Sequence, residues 1–301
     1  MRLRVLYVGL LGEFSVPPLA ALLDAGLDVC GVIIPATRSA SGSPIANVAP
    51  DPHRSQLPII NPYLEQNIVH LAWEHDIAVF EVNRPDHPET LTMLSALRPD
   101  VACVACFPQR IPASMLALPP LGFLNLHPSL LPAYRGPAPL FWTFRNGDNT
   151  TGVTIHFMDE GLDSGDIALQ APIDLPDGIS GAEADRLCAA LGGRLMVEVV
   201  QALERGTLSR RKQPAGGSYY PSPSTNDFTI STTWPARRAF NFMRGTAEWG
   251  RPYIVEVDGE RLVLKSAVSY SATETLGYSY VRSGNEVWVK FTPGVLQART
   301  D

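Results

Sequence analysis

Pro128 constrains this chain more than any other residue. It follows His127, which comes directly after an apolar run, 121–126. Proline has no amide hydrogen for a sheet ladder, and its ring holds the preceding residue in extended backbone. The run therefore reads as a buried strand that stops at His127. Asn125 and His127 lie two apart, so a strand sets both side chains on one face at its C-terminal rim. That rim is where open α/β sheets hold their ligands.

A second apolar run, 151–158, leads into Asp159-Glu160-Gly161-Leu162-Asp163-Ser164-Gly165-Asp166, a loop with four acids and two glycines. Packed beside the first strand end, this loop brings a carboxylate to the imidazole. Asparagine can hydrogen-bond a carbonyl oxygen, histidine can donate or carry a proton, and aspartate can orient the histidine or relay protons through water. A single Asn or His at a strand end is more often a satisfied turn residue, and an acidic loop alone is more often a solvated turn. The joint pattern, with 129–132 and 134–136 between them, favours chemistry. None of the three is a good nucleophile, which suggests direct transfer to an incoming nucleophile.

The preceding chain has the rhythm of a doubly wound, mostly parallel sheet. Residues 3–9 read as a strand and 16–23 as a helix, followed by strands at 27–34, 78–81 and 101–107 and helices at 67–75 and 89–97. Gly9 and Gly12 lack the third glycine of a dinucleotide fingerprint. Cys103 and Cys106 are spaced C-x-x-C inside an apolar run, where both read as small core residues; no second ligand pair follows, and no metal site is expected. Ser180 to Glu183 form a capping-box pattern that starts a long helix, with Leu187, Leu191, Leu195 and Val199 expected to form its packing stripe.

Residues 207–227 are basic and then rich in Gly, Pro and Ser, the composition of a linker. Beyond them, the turn pairs Asp258-Gly259 and Gly284-Asn285 sit between short β-rich runs and predict a small antiparallel β-barrel. The expected organisation is a catalytic domain at 1–208, a linker at 209–226 and a barrel domain at 227–301. The net charge of −6 divides unevenly: 1–208 carry 12 basic and 22 acidic residues, and 209–301 carry 12 and 8. A nucleic-acid partner would therefore meet the C-terminal part, with Arg210-Arg211-Lys212 the first place to look, although such a run is usually solvated. No apolar run approaches a membrane span and the N-terminus lacks a signal-peptide pattern, so a cytoplasmic protein is expected.

The order NLHPSLLPAYRGPAP followed by GDNTTGVTIHFMDEGLDSGDI resembles the 10-formyltetrahydrofolate-dependent formyltransferase family, most closely its methionyl-tRNA formyltransferase branch. The resemblance is tight over about 100–170 and looser but collinear elsewhere. It implies that Asn125, His127 and Asp163 take the catalytic positions. It implies a 10-formyltetrahydrofolate donor held around Phe107, Gln109 and Ile111, with Ser129, Leu130, Leu131 and Pro132 shaping the pocket and Asp159 and Gly161 completing it. Arg135 and Gly136 are assigned to substrate contact. The C-terminal domain should resemble an OB-fold, and the chemistry requires no metal.

In that branch the region matching 35–62 is a basic insertion that holds the tRNA acceptor stem. Here it offers only Arg38 and Arg54 as strong bases. Phosphate contacts supply much of the affinity for nucleic acid, so methionyl-tRNA and a small amine, such as a nucleotide-linked amino sugar, both stand as acceptors. Hydrolysis of the same donor to formate and a non-catalytic binding module are the readings from other classes.

Overall fold

The computed structural model describes residues 2–36, 42–49 and 67–300. Arg38 and Arg54 lie outside the described residues, as does most of the 35–62 segment. In chain order the first elements are β1 (Arg4–Gly9), α1 (Val16–Asp24), β2 (Asp28–Pro35), β3 (Ile45–Asn47), α2 (Ile68–Glu74), β4 (Val79–Val82), α3 (Pro88–Ala96), β5 (Val101–Ala105), α4 (Ala113–Leu116) and β6 (Phe123–His127). There follow α5 (Pro139–Asn146), β7 (Thr150–Phe157), β8 (Ile167–Asp174) and α6 (Gly181–Glu204). The eight strands form one sheet in the order β3-β4-β2-β1-β5-β6-β7-β8. Pairing is parallel from β4 through β6, while β3 and β7 join antiparallel. This is the mostly parallel α/β sheet expected from the sequence. The strand order reverses at β1, from which the chain first builds outward through β2 and β4 and then returns to β5 and β6. Such a reversal opens the ligand crevice at the carboxyl ends of the strands.

Local chemistry accounts for the element ends. Asn67 Oδ1 accepts hydrogen bonds from the main-chain nitrogens of Val69 and His70, capping α2. Ser180 and Glu183 form the expected reciprocal cap at the start of α6. Along α6, Leu195, Met196, Val199 and Val200 are buried, but Leu187 is 44% exposed and lies outside the packing stripe assigned to it. Gly192 explains how closely the helix approaches: a Cβ there would stand 2.2 Å from Leu126 Cδ1. Leu126 points away from the face that carries Asn125 and His127, so α6 covers the opposite side of β6. Cys103 is buried, and burial pushes its thiol pKa up. Cys106, expected in the core beside it, is instead exposed with φ 63, because β5 stops at Ala105.

The chain clusters into two compact units. One comprises Met1–Pro132, Val153–Ala171 and Cys188–Gly216, and the other Ala133–Gly152, Pro172–Leu187 and Gly217–Asp301. The second contains α7 (Ala236–Gly245) and the strands β9 (Thr229–Ile230), β10 (Tyr253–Val257), β11 (Glu260–Leu264), β12 (Ser266–Ser271), β13 (Tyr280–Ser283), β14 (Glu286–Lys290) and β15 (Val295–Arg299). These strands form two small sheets, β11-β10-β9 and β12-β15-β14-β13, the barrel-like β part anticipated from the turn pairs. Asp258 and Gly259 both adopt positive φ between β10 and β11, the geometry of a tight hairpin turn. Among the described residues no helix is long and apolar enough to cross a membrane.

Because the Gly192 contact sets the distance from α6 to β6, Gly192→Val is expected to destabilise the protein by about 1–3 kcal/mol through overpacking. Urea unfolding checks this; Leu126→Ala in the same chain should recover part of the loss.

Candidate active site

The site grows out of the antiparallel pairing of β6 with β7. Their register sets Asn125 opposite His156 and His127 opposite Thr154. Directly paired residues share a face, so all four side chains project from the same side of the sheet. Asn125 is half-buried, whereas His127 and His156 are 4% and 2% exposed.

His156 fixes the orientation of Asn125. Its Nδ1 lies 3.0 Å from the Phe157 carbonyl oxygen, which can only accept, so Nδ1 carries the proton. Its Nε2 then accepts from Asn125 Nδ2 at 3.1 Å. The amide NH2 is thereby turned toward the ring, and Nδ2 retains a second hydrogen for another acceptor. Burial, assisted by repulsion from His127, lowers the His156 pKa to about 4, so the ring is neutral at pH 7.

Asp163 enters from the loop between β7 and β8. Its Oδ1 stands 3.7 Å from both His127 Nδ1 and His156 Nε2, with its side chain 12% exposed. The two rings meet nearly edge to face, their centroids 6.3 Å apart. Asp163 has φ 52, a left-handed conformation that aspartate tolerates better than most residues. The loop turns tightly behind it: a Cβ at Gly165 would lie 1.8 Å from the Phe157 carbonyl oxygen, so only glycine fits. Asp159 Oδ1 accepts from Gly161 N at 3.0 Å and Ser164 Oγ at 2.8 Å, closing the first half of the loop. Thus Asn125, His127 and Asp163 come together, and Asp159 and Gly161 shape the turn that delivers Asp163.

The 129–132 segment is held against β7 and β8 from below. Thr154 Oγ1 donates to Ser129 O at 2.7 Å and accepts from Leu131 N at 3.1 Å. Gln170 Nε2 reaches Leu131 O at 2.9 Å and Thr154 Oγ1 at 2.7 Å. Ser129 and Leu131 are buried, so they contribute loop shape, while Leu130 and Pro132 are half-buried. The loop after β5 follows the strand next to β6, with Val104 paired to Asn125. Ile111 is part of the core cluster and Phe107 packs against it. Gln109 donates to Val82 O at 3.4 Å, and its buried Oε1 has no partner among the described residues. A buried acceptor without a donor is costly in an interior but suits a ligand that supplies N–H groups. Arg135 and Gly136 belong to the second unit. Arg135 pairs by its main chain with Ser218 and Tyr220, and a Cβ at Gly136 would stand 2.0 Å from the Tyr220 carbonyl oxygen, so packing demands that glycine.

Sequence reasoning missed His156, Thr154 and Gln170. The available signal was parity: in the apolar 151–158 run, Thr154 and His156 alternate on one face, and a histidine there must face another polar group or remain unsatisfied.

Residues 37–200 match the family described as formyl transferase. The chain is 33% identical to a methionyl-tRNA formyltransferase of Geotalea uraniireducens, covering 94% of this chain and 85% of that one. It is also 33% identical to one of Pelotomaculum thermopropionicum, covering 82% and 73%. Among solved structures it is similar to an N-formyltransferase of Helicobacter canadensis in complex with folinic acid and dTDP-3-aminofucose, with TM-score 0.66, 14% identity and 99% of each chain covered.

Neutral His156 implies a pH dependence. Its folded pKa lies below the ordinary value near 6.5, so its contribution to stability is complete above about pH 6.5 and is lost as pH falls toward 4. Urea midpoints measured across this window should fall with acid, and His156→Gln, which cannot be protonated, should flatten that part of the profile.

Proposed function

The chain belongs to the formyl transferase family; we propose that it uses 10-formyltetrahydrofolate as donor to formylate an amine, that Asn125, His127 and Asp163 carry out the transfer and that the acceptor is methionyl-tRNA. The observation that carries the site assignment is the meeting of these three side chains at the carboxyl end of β6, with Asp163 Oδ1 3.7 Å from His127 Nδ1.

The donor, when bound, supplies a formyl carbon whose carbonyl oxygen gains negative charge as the amine adds. Asn125 answers that charge with the Nδ2 hydrogen that His156 leaves available, already oriented before any ligand arrives. His127 donates to the same oxygen, and Asp163 beside its Nδ1 keeps the ring turned toward it. Asp163 also takes up the proton released by the amine, directly or through water, and returns it toward the departing nitrogen. Gln109 and the main chain of 106–111 hold the folate ring, and the 129–132 loop closes the pocket beside it. The reaction needs no nucleophile from the protein, consistent with the three side chains gathered there.

Acceptor identity rests on the relatives. Alignment with methionyl-tRNA formyltransferases spans most of the chain, and the excess of basic residues over 209–301 suits an RNA partner met by an OB-like C-terminal domain. A nucleotide-linked amino sugar is the second reading, favoured by the 22 acids against 12 bases over 1–208 and by the sparse bases of 35–62. A cytoplasmic location fits either acceptor.

The test is release of tetrahydrofolate from 10-formyltetrahydrofolate with charged initiator methionyl-tRNA, with amino sugars on nucleotides, and with no acceptor. Turnover with the tRNA alone is expected. Turnover with the sugars alone would transfer the assignment to a small amine, and formate release without acceptor would indicate a hydrolase. Asn125→Ala and His127→Ala should each lower kcat roughly 100- to 1,000-fold; unchanged turnover in both would refute the site.

A further inference from the structure

Asp163 occupies left-handed backbone, which a residue with a side chain leaves readily unless its surroundings hold it. The first half of its loop is tied to itself through Asp159. The second half is held from outside, by a segment that composition alone marks as linker. Gln213 Nε2 donates to the main-chain oxygen of Asp163 at 2.7 Å and to that of Gly165 at 2.8 Å. Both partners are carbonyl oxygens, which only accept, so the NH2 end of the amide must face them and both of its hydrogens are engaged.

Two neighbouring contacts strengthen this grip. Arg211 and Ile167 exchange main-chain hydrogen bonds of 2.8 and 2.9 Å, an isolated antiparallel bridge that ties the segment to the start of β8. The Arg210 guanidinium lies over the Phe157 ring, 3.6 Å from its centroid, at the end of β7. The excursion from Phe157 to Ile167 is therefore anchored at both ends, and Gln213 alone of these three reaches the main chain of Asp163.

We propose that Gln213 is a positioning residue for the transfer reaction: its carboxamide clamps the main chain of Asp163 and so keeps the carboxylate in place beside His127. The inference rests on the catalytic part proposed for Asp163. A clamp of this kind touches neither donor nor acceptor, so its loss lowers the rate of the chemical step and leaves donor binding alone. A glutamate at 213 would set a carboxylate against two carbonyl oxygens and push the loop away.

The experiment compares Gln213→Ala, Gln213→Glu, Asp163→Asn and the double variant Gln213→Ala/Asp163→Asn in steady-state turnover. Thermal unfolding and hydrogen exchange over 159–166 are measured in parallel. Gln213→Ala should lower kcat about 10- to 100-fold, the scale expected when a catalytic group is displaced by about an ångström. Its KM for the donor should stay within about twofold of the parent, and exchange over 159–166 should quicken. Gln213→Glu should be at least as slow. The double variant should be no slower than Asp163→Asn, because both changes act through one carboxylate. Losses that multiply in the double variant, a change confined to KM, or full activity in Gln213→Ala would each overturn the proposal. Full activity in Asp163→Asn would instead refute the part assigned to Asp163; faster exchange in Gln213→Ala would then still show that the loop is clamped, separating the two failures.

Discussion

The pairing of Asn125 with His156 across β6 and β7 is the contact on which the rest of the site depends. Side chains alternate along a strand, so a slip of one residue would turn Asn125 and His127 into the face covered by α6 and send Leu126 toward the ligand. The register is held from both faces. On one, Leu126 meets Gly192 at a distance that admits no larger residue. On the other, the Asn125 to His156 hydrogen bond and the Thr154 contacts with Ser129 and Leu131 are satisfied only in this alignment.

Burial gives the pair its chemical character. A neutral His156 can accept from Asn125, whereas a protonated one would offer a hydrogen where the amide already presents one and would force the amide to turn over. The low dielectric around His156 thus does more than depress a pKa: it selects which end of Asn125 faces the ring. Asp163, approaching from a less enclosed loop, brings a carboxylate within 4 Å of both rings. The site is consequently assembled from two sources, a rigid strand pair that presents the amide and imidazoles and a strained turn that presents the acid.

Much of this was legible in the sequence, and the parts that were not have physical reasons. Pro128 marked the end of β6, and the spacing of Asn125 and His127 placed them on one face. Ser180 and Asp258-Gly259 announced their cap or turn because each acts within a few residues of itself. His156 was hidden inside an apolar run, since its importance comes from a partner thirty-one residues away. Cys106 read as core because composition does not locate the last residue of a strand, and Leu187 because a four-residue repeat drifts around a helix with 3.6 residues per turn. Gln213 sat in a stretch whose Gly, Pro and Ser content resembles a tether, although its hydrogen bonds fall on backbone atoms that every sequence shares.

The central claim is direct transfer across the face made by Asn125, His127 and Asp163, with no formyl group passing through the protein. It is tested most directly by following a labelled formyl carbon from 10-formyltetrahydrofolate in a single turnover, with the protein quenched and weighed at intervals. The account predicts that label leaves the donor only when an acceptor amine is present and appears on that amine without ever residing on the chain. Labelled protein that forms before the product and decays as it accumulates would contradict it.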